Sequence, residues 1–201
     1  MILVRHGQSR FNAVFSVTRV DPGITDPGIT DEGHGQASRA AAALHGDGPD
    51  GLLPRIGRGR PTRILASPYR RTLETAEILA RRLGLPVTVE PLVRERNAFI
   101  CDIGSAPAEL MRHWPEFAFE ALTDHWWHGD RDQGASESEE SLRRRCAGFR
   151  ARMAQQPDWA TVVVVTHWGF IRGLTGHEAE NGQILAYDPA DGRVVAADDP
   201  C

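Results

Sequence analysis

The 201-residue sequence contains no lysine; all 23 of its basic residues are arginine. Schiff-base chemistry, which needs a lysine amine, is thereby excluded, and so is any phosphate loop that ends in Gly-Lys-Ser/Thr. An anion site here must use arginine, histidine and backbone N–H groups, and arginine brings a planar two-pronged fork. Positive charge is also in deficit: against 27 acidic residues the net charge is -4, which argues against nucleic acid as a partner. Long apolar runs are missing, and nothing approaches the ~20 residues that span a bilayer. Residue 2 enters an apolar segment directly, with no basic leader, so a cytoplasmic protein without membrane association is expected. Cysteine is scarce. Cys101, Cys146 and Cys201 are widely spaced and lack CxxC or CxH patterns, so reduced thiols are expected, without a cysteine-built metal or redox site.

What is present is ordinary globular material, with 41% hydrophobic and 25% charged residues, and the length suits one domain over residues 1–201. A β-prone run, Ile2-Leu3-Val4, stops at Arg5-His6-Gly7, where glycine permits a tight turn. Asp-Pro-Gly-Ile-Thr then occurs twice in succession, from Asp21 and from Asp26, too short for a structural repeat. Thr30 is placed to cap a helix running through the alanine-rich stretch to Leu44. Residues 46–61, rich in Gly, Pro and Arg and without periodicity, read as a surface loop. Strands are expected at 63–67 and 85–89 around a helix at 70–83. Residues 91–127 are mixed, with short helical pieces near 108–113 and 115–122. Leu142, Cys146, Phe149 and Met153 recur at helical spacing within a helix at 138–156. The continuous apolar run at 161–165 suits a central strand covered on both faces. A helix at 170–174 follows, and Asn181-Gly182 reads as a hairpin turn between two β-prone segments. The alternation predicts an α/β fold, a three-layer α/β/α sandwich around a mostly parallel sheet with an antiparallel edge.

Three polar clusters each stand just past a predicted strand: Arg5-His6-Gly7, Ser67-Pro68 with the arginines after it, and Thr166-His167. Ligands of open α/β sheets bind beyond the carboxyl ends of the strands, so these clusters could share one pocket. Two histidines and two or more arginines suit a phosphate dianion: the arginines grip its oxygens, and an imidazole can attack phosphorus. The same positive charges should hold His6 neutral, and a backbone carbonyl near Gly7 could fix which of its nitrogens keeps the lone pair. The arginines supply the neutralisation that metal ions provide elsewhere, so neither a metal nor another cofactor is called for. His125 and His128 flank Trp126-Trp127 without a third ligand nearby, and the tryptophans read as core or pocket-wall aromatics.

Leu3-Val4-Arg5-His6-Gly7-Gln8-Ser9-Arg10-Phe11-Asn12 resembles the opening signature of branch 1 of the histidine phosphatase superfamily, which includes the phosphoglycerate mutases. Ile29-Thr30 with Gly33, Gln36 and Ala37 resembles its "LTxxGxxQA" helix. Residues 67–76 resemble "SPLxRAxQTA", and Thr166-His167-Trp168-Gly169 resembles "THGG". The resemblance implies a phosphoglycerate mutase-like fold and a phosphatase acting on a small phosphorylated substrate. It implies His6 as the residue phosphorylated in the intermediate. Arg5, Arg71 and His167 would form the phosphate pocket, with His167 catalytic alongside His6, and Asn12 would add a hydrogen bond. Thr75-Ala76 fixes the register that selects Arg71 over Arg70. The family's acid lies after the third strand, where Glu95 is the candidate for protonating the leaving alkoxide, with Asp102 as the alternative.

Trp168 departs from the pattern, placing an indole where the family often has glycine and where it could restrict or stack the substrate. The run from Glu137 reads as an acidic helix N-terminus that loosely resembles the family's "GES" segment, and no catalytic role is assigned to it. Phosphatase, mutase and a non-catalytic phospho-ligand binder remain as readings, in that order. Residues 46–61 and 91–134 are the segments expected to shape specificity.

Overall fold

The computed structural model describes residues 1–46, 51–128 and 136–196. Six strands form one sheet: β1 (Ile2–Arg5), β2 (Arg63–Ala66), β3 (Val87–Val89), β4 (Val162–Thr166), β5 (Ile184–Tyr187) and β6 (Val194–Ala196). Their order is β3-β2-β4-β1-β5-β6. The first four run parallel, and β5 pairs antiparallel with both β1 and β6. The expected mostly parallel sheet with an antiparallel edge is therefore present.

Side-chain alternation along the strands divides the core into two layers. Ile2, Val4, Ile64, Ala66, Val163 and Val165 join one apolar cluster, while Leu3, Leu65, Val162 and Val164 join the other. The first layer is covered by α2 (Asp31–His45), α4 (Arg70–Leu83) and α5 (Pro107–His113), the second by α6 (Glu139–Ala154) and α7 (Trp168–Thr175). Burial on both faces explains why β4 reads as uninterrupted valine. In α6 the four residues picked out by helical spacing, Leu142, Cys146, Phe149 and Met153, are all buried. Thr30 caps α2 by accepting from the Gly33 N–H, and Gly84 closes α4 with φ 68°. Cys101 and Cys146 are free and buried, and Cys201 lies outside the described residues.

Three expectations differ from the structure, and two elements had none. Residues 115–122 form turns instead of a helix, and Trp114, Phe117 and Phe119 still bury their rings in the first core layer. The 46–61 stretch is not all surface loop: α3 (Leu52–Arg55) lies in it, and Leu53 and Ile56 are buried. Asn181-Gly182 is no hairpin turn. It leads from α7 into β5, with Gly182 at φ 77° donating to the Arg5 carbonyl, while the β5–β6 connection is 188–193. β6 pairs on the sheet's outer edge, where no periodic pattern announced it. The first helix, α1 (Arg10–Thr18), has no counterpart in the sequence reading.

Candidate active site

Parallel pairing in near-matched register brings the polar clusters together. Arg5 lies opposite Thr166 in the β1–β4 pair and Ala66 opposite Val165 in the β2–β4 pair, so His6, His167 and Ser67 emerge at one sheet edge. The His6 N–H donates to the Thr166 carbonyl and the Ser67 N–H to the Val165 carbonyl, each continuing its ladder by one residue. The two imidazoles stand edge to face, with centroids 5.1 Å apart.

His6 is buried, and its Nδ1 lies 2.7 Å from the Gly7 carbonyl oxygen. A carbonyl only accepts, so Nδ1 carries the proton and Nε2 keeps its lone pair. Burial, followed by the charges of Arg71 and Arg5, pushes the His6 pKa well below its ordinary value, against the opposing pull of the Gly7 carbonyl. The turn is held tightly. The Gly7 N–H donates to Thr75 Oγ1, and a Cβ on Gly7 would lie 2.3 Å from the Gly33 carbonyl oxygen, so α2 packs backbone to backbone against the loop. Thr75, Gly33 and Gln36, which donates no charge but accepts from the Gln8 N–H, thus have structural duties around His6.

Arg71 is buried and fixed on three sides: Nε to His167 Nδ1 at 3.2 Å, one terminal nitrogen to the Cys101 carbonyl at 2.8 Å, the other to Asp102 Oδ1 at 3.0 Å. Its guanidinium also stacks over Tyr69, 4.2 Å from the ring centroid. Arg70 lies off the pocket beside Glu74, as the register argument expects. Arg5 donates to the Ala179 carbonyl while its buried Nε has no protein partner.

His167 stands behind Arg71, off the pocket wall where the resemblance implied a phosphate contact. It is fully buried, and since the Arg71 Nε can only donate, His167 Nδ1 accepts and Nε2–H donates to Ser67 Oγ at 2.8 Å. Burial, Arg71 and His6 hold its pKa well below the ordinary histidine value. Both ring nitrogens are thus engaged by protein groups. Asn12 has a double function: its Oδ1 caps α1 by accepting from Ser9, and also accepts from Asn181, which leaves its amide hydrogens for the pocket it lines.

The two acid candidates separate cleanly. Asp102 is tied up, with one oxygen on Arg71 and the other accepting from the Ala98 and Phe99 N–H groups. Glu95 lines the pocket and is held only by backbone, the N–H groups of Arg96 and Gly169. Burial, reinforced by Asp102, raises its pKa above the usual carboxylate value, with Arg71 and the two N–H groups opposing.

The pocket has a volume of about 710 Å³ and is lined by Arg5, His6, Asn12, Arg71, Glu95 and Trp168 among others. The 98–102 segment contributes to it, in line with the expectation for 91–134, of which 129–134 lie outside the described residues. Residues 51–61 do not contribute. Leu52 and Arg55 line a neighbouring groove with Gln36 and Arg39, which meets the His6 pocket at Glu180 and Asn181. Among the described residues no group of three or more His, Cys, Asp or Glu could hold a metal ion, and His125 and His128 pack around Trp127.

Residues 1–188 match the model of the histidine phosphatase superfamily, branch 1. The chain belongs to the histidine phosphatase superfamily. A phosphoglycerate mutase-like protein 4 from Arabidopsis thaliana is 30% identical over 176 residues, covering 87% of this chain and 68% of that one. Among solved structures, a mycobacterial glucosyl-3-phosphoglycerate phosphatase bound to VO3 superposes with a TM-score of 0.59 at 24% identity, covering 92% and 90% of the two chains. A phosphoserine phosphatase from Entamoeba histolytica, solved with phosphoserine, gives 0.57 at 17% identity over 97% and 93%. These structures share the superfamily fold.

The sequence reading missed two parts of this histidine phosphatase site. One is a buried ion pair, Arg145 with Glu137, whose arginine also donates to the carbonyls of Leu92 and Arg94 and so holds the strand-end segment that carries Glu95. The loosely matched acidic run contained this residue, but nothing local marked it for burial. The other is an aromatic wall of Phe11, Phe15 and Phe99. The four-residue spacing of Phe11 and Phe15 was its available signal once a helix was assigned there.

Proposed function

We infer that this protein hydrolyses phosphate monoesters through a phosphohistidine on His6. The observation that carries the reading is the Nδ1–Gly7 hydrogen bond, which leaves a neutral imidazole with its Nε2 lone pair in a pocket shared with two arginines. In the first step Nε2 attacks phosphorus and the P–O bond to the alcohol breaks. Arg5, Arg71 and the Asn12 amide hold the phosphoryl oxygens, and Glu95 gives its proton to the departing alkoxide. In the second step water attacks the phosphohistidine, Glu95 now takes the water's proton, and inorganic phosphate leaves. His167 acts through others, fixing Arg71 and bracing the His6 ring, and is a positioning residue. Trp168 forms part of the substrate-facing wall, and no metal ion or other cofactor takes part.

The test is phosphate release from p-nitrophenyl phosphate in excess chelator, with wild type and His6→Ala. Release by wild type that falls at least about a thousandfold in the variant supports the reading. Undiminished release by the variant contradicts it. The mutase alternative predicts phosphoryl transfer from a bisphosphoglycerate to a phosphoglycerate with little net release.

A further inference from the structure

The outer half of the pocket differs in chemistry from the phosphate end. Phe11 and Phe15 stack at 5.0 Å with planes 15° apart, and Phe99 meets them at 5.4 and 5.2 Å. All three line the same pocket as His6, and Phe99 leaves 42% of its surface open. A partly exposed aromatic facing a pocket keeps apolar surface in contact with water until something covers it.

The wall is built rigidly to the phosphate grip. Asp102 accepts from the Phe99 N–H with one oxygen and binds Arg71 with the other, while Asp21 accepts from the Ile100 N–H. One carboxylate therefore sets the distance between the aromatic wall and the arginine. Trp168, 36% exposed, adds a second apolar surface to the pocket. Of the outer arginines, Arg96 donates to the Glu137 carbonyl and pairs with Glu139, while Arg19 lies over the Phe15 ring at 5.9 Å. Glu178 and Glu180 also line the pocket, which disfavours a second anionic group on the substrate.

We propose that the preferred substrates, given the phosphatase reading on which this rests, are monoesters whose alcohol carries an aromatic or comparably flat apolar group, with Phe99 as a specificity-determining residue. Small phosphorylated hydroxy acids and open-chain sugars are disfavoured.

The experiment compares 2-phenylethyl phosphate with propyl phosphate, whose alkanol leaving groups are closely matched, so that ring binding is separated from leaving-group chemistry. Wild type is expected to show a preference in kcat/KM of at least about tenfold for the phenyl ester, from burial of one ring against aromatic partners. Phe99→Ala should reduce that ratio to within about threefold of unity, and Phe99→Tyr should restore it. Equal kcat/KM for the two esters in wild type, with hydrolysis dependent on His6, would overturn the specificity while leaving the phosphatase reading intact. A preference that survives Phe99→Ala would overturn the role of Phe99. Hydrolysis of neither ester would count against both.

Discussion

Glu95 and Gly169 form a pair in which one residue depends on the other being bare. The Gly169 N–H reaches Glu95 Oε2, and a Cβ there would lie 2.2 Å from Oε1. Gly169→Ala should therefore displace the carboxylate and lower kcat on an alkyl phosphate by about ten- to a hundredfold with modest change in stability, measured by steady-state kinetics beside thermal melting. Glu95→Gln removes the transferable proton. The loss should be about 10²- to 10⁴-fold on an alkyl phosphate but under about tenfold for formation of phosphoenzyme from p-nitrophenyl phosphate, whose leaving group needs no proton. The pH profile should change with it. Glu95 must be protonated and its pKa is raised, whereas His6 must be neutral and its pKa is lowered, so wild-type activity on an alkyl phosphate has a window in which both conditions hold and falls with rising pH as Glu95 ionises. Glu95→Gln should lose that alkaline fall while substrate ionisation stays common to both proteins. At this scale the shared pocket of His6, Arg5, Arg71 and Glu95 was legible because the first three lie in segments that resemble the family and Glu95 follows the third strand. The engagement of both His167 nitrogens was not, since it depends on Ser67 and Arg71, 100 and 96 residues away.

α6 carries the part of the site furthest from its sequence signal. Arg145, in its second turn, pairs with Glu137 just before its start and donates to the Leu92 and Arg94 carbonyls. Arg145→Met leaves Glu137 buried without its main partner, and that is expected to cost about 3–5 kcal/mol. For a domain of this size the loss corresponds to a Tm drop of roughly 6–20 °C by calorimetry. Activity at a temperature where the variant remains folded should fall as well, because the segment ending in Glu95 loses its anchor. An unchanged Tm would contradict the account. Helical spacing of buried positions made α4 and α6 legible, and an unbroken apolar run made β4 legible. α1 lacked that signal: it buries only Phe11, and its N-terminus is capped by Ser9 with Asn12 in the place usually held by Glu or Gln. The 115–122 segment misled for the opposite reason, having apolar residues that bury through turns.

Across the whole molecule, the two central histidines couple folding to pH. Both are neutral when folded, with pKa values well below the ordinary one, so below about pH 6.5 the unfolded chain binds more protons than the folded chain. Stability is therefore fully present above that pH and declines as pH falls, by up to about 1.4 kcal/mol per pH unit for each histidine. Asp26 and Glu95, whose raised values favour the protonated folded state, oppose this within the carboxylate range. Tm should consequently decrease from pH 7.5 to 5.5, and a flat profile would contradict the burial of neutral imidazoles. The three-layer architecture was legible because strand and helix periods alternate along the chain. The pocket's outer wall was not, because it joins α1 to residues 98–102 through contacts between distant segments.

The most direct test of the central claim is to mix wild-type enzyme with a labelled phosphate monoester, quench within the first turnovers, and map the labelled residue. A phosphohistidine mechanism predicts phosphate that is stable in alkali, labile in acid and attached to Nε2 of His6, and absent from His6→Ala. Turnover with no such intermediate, or label on any other residue, would contradict it.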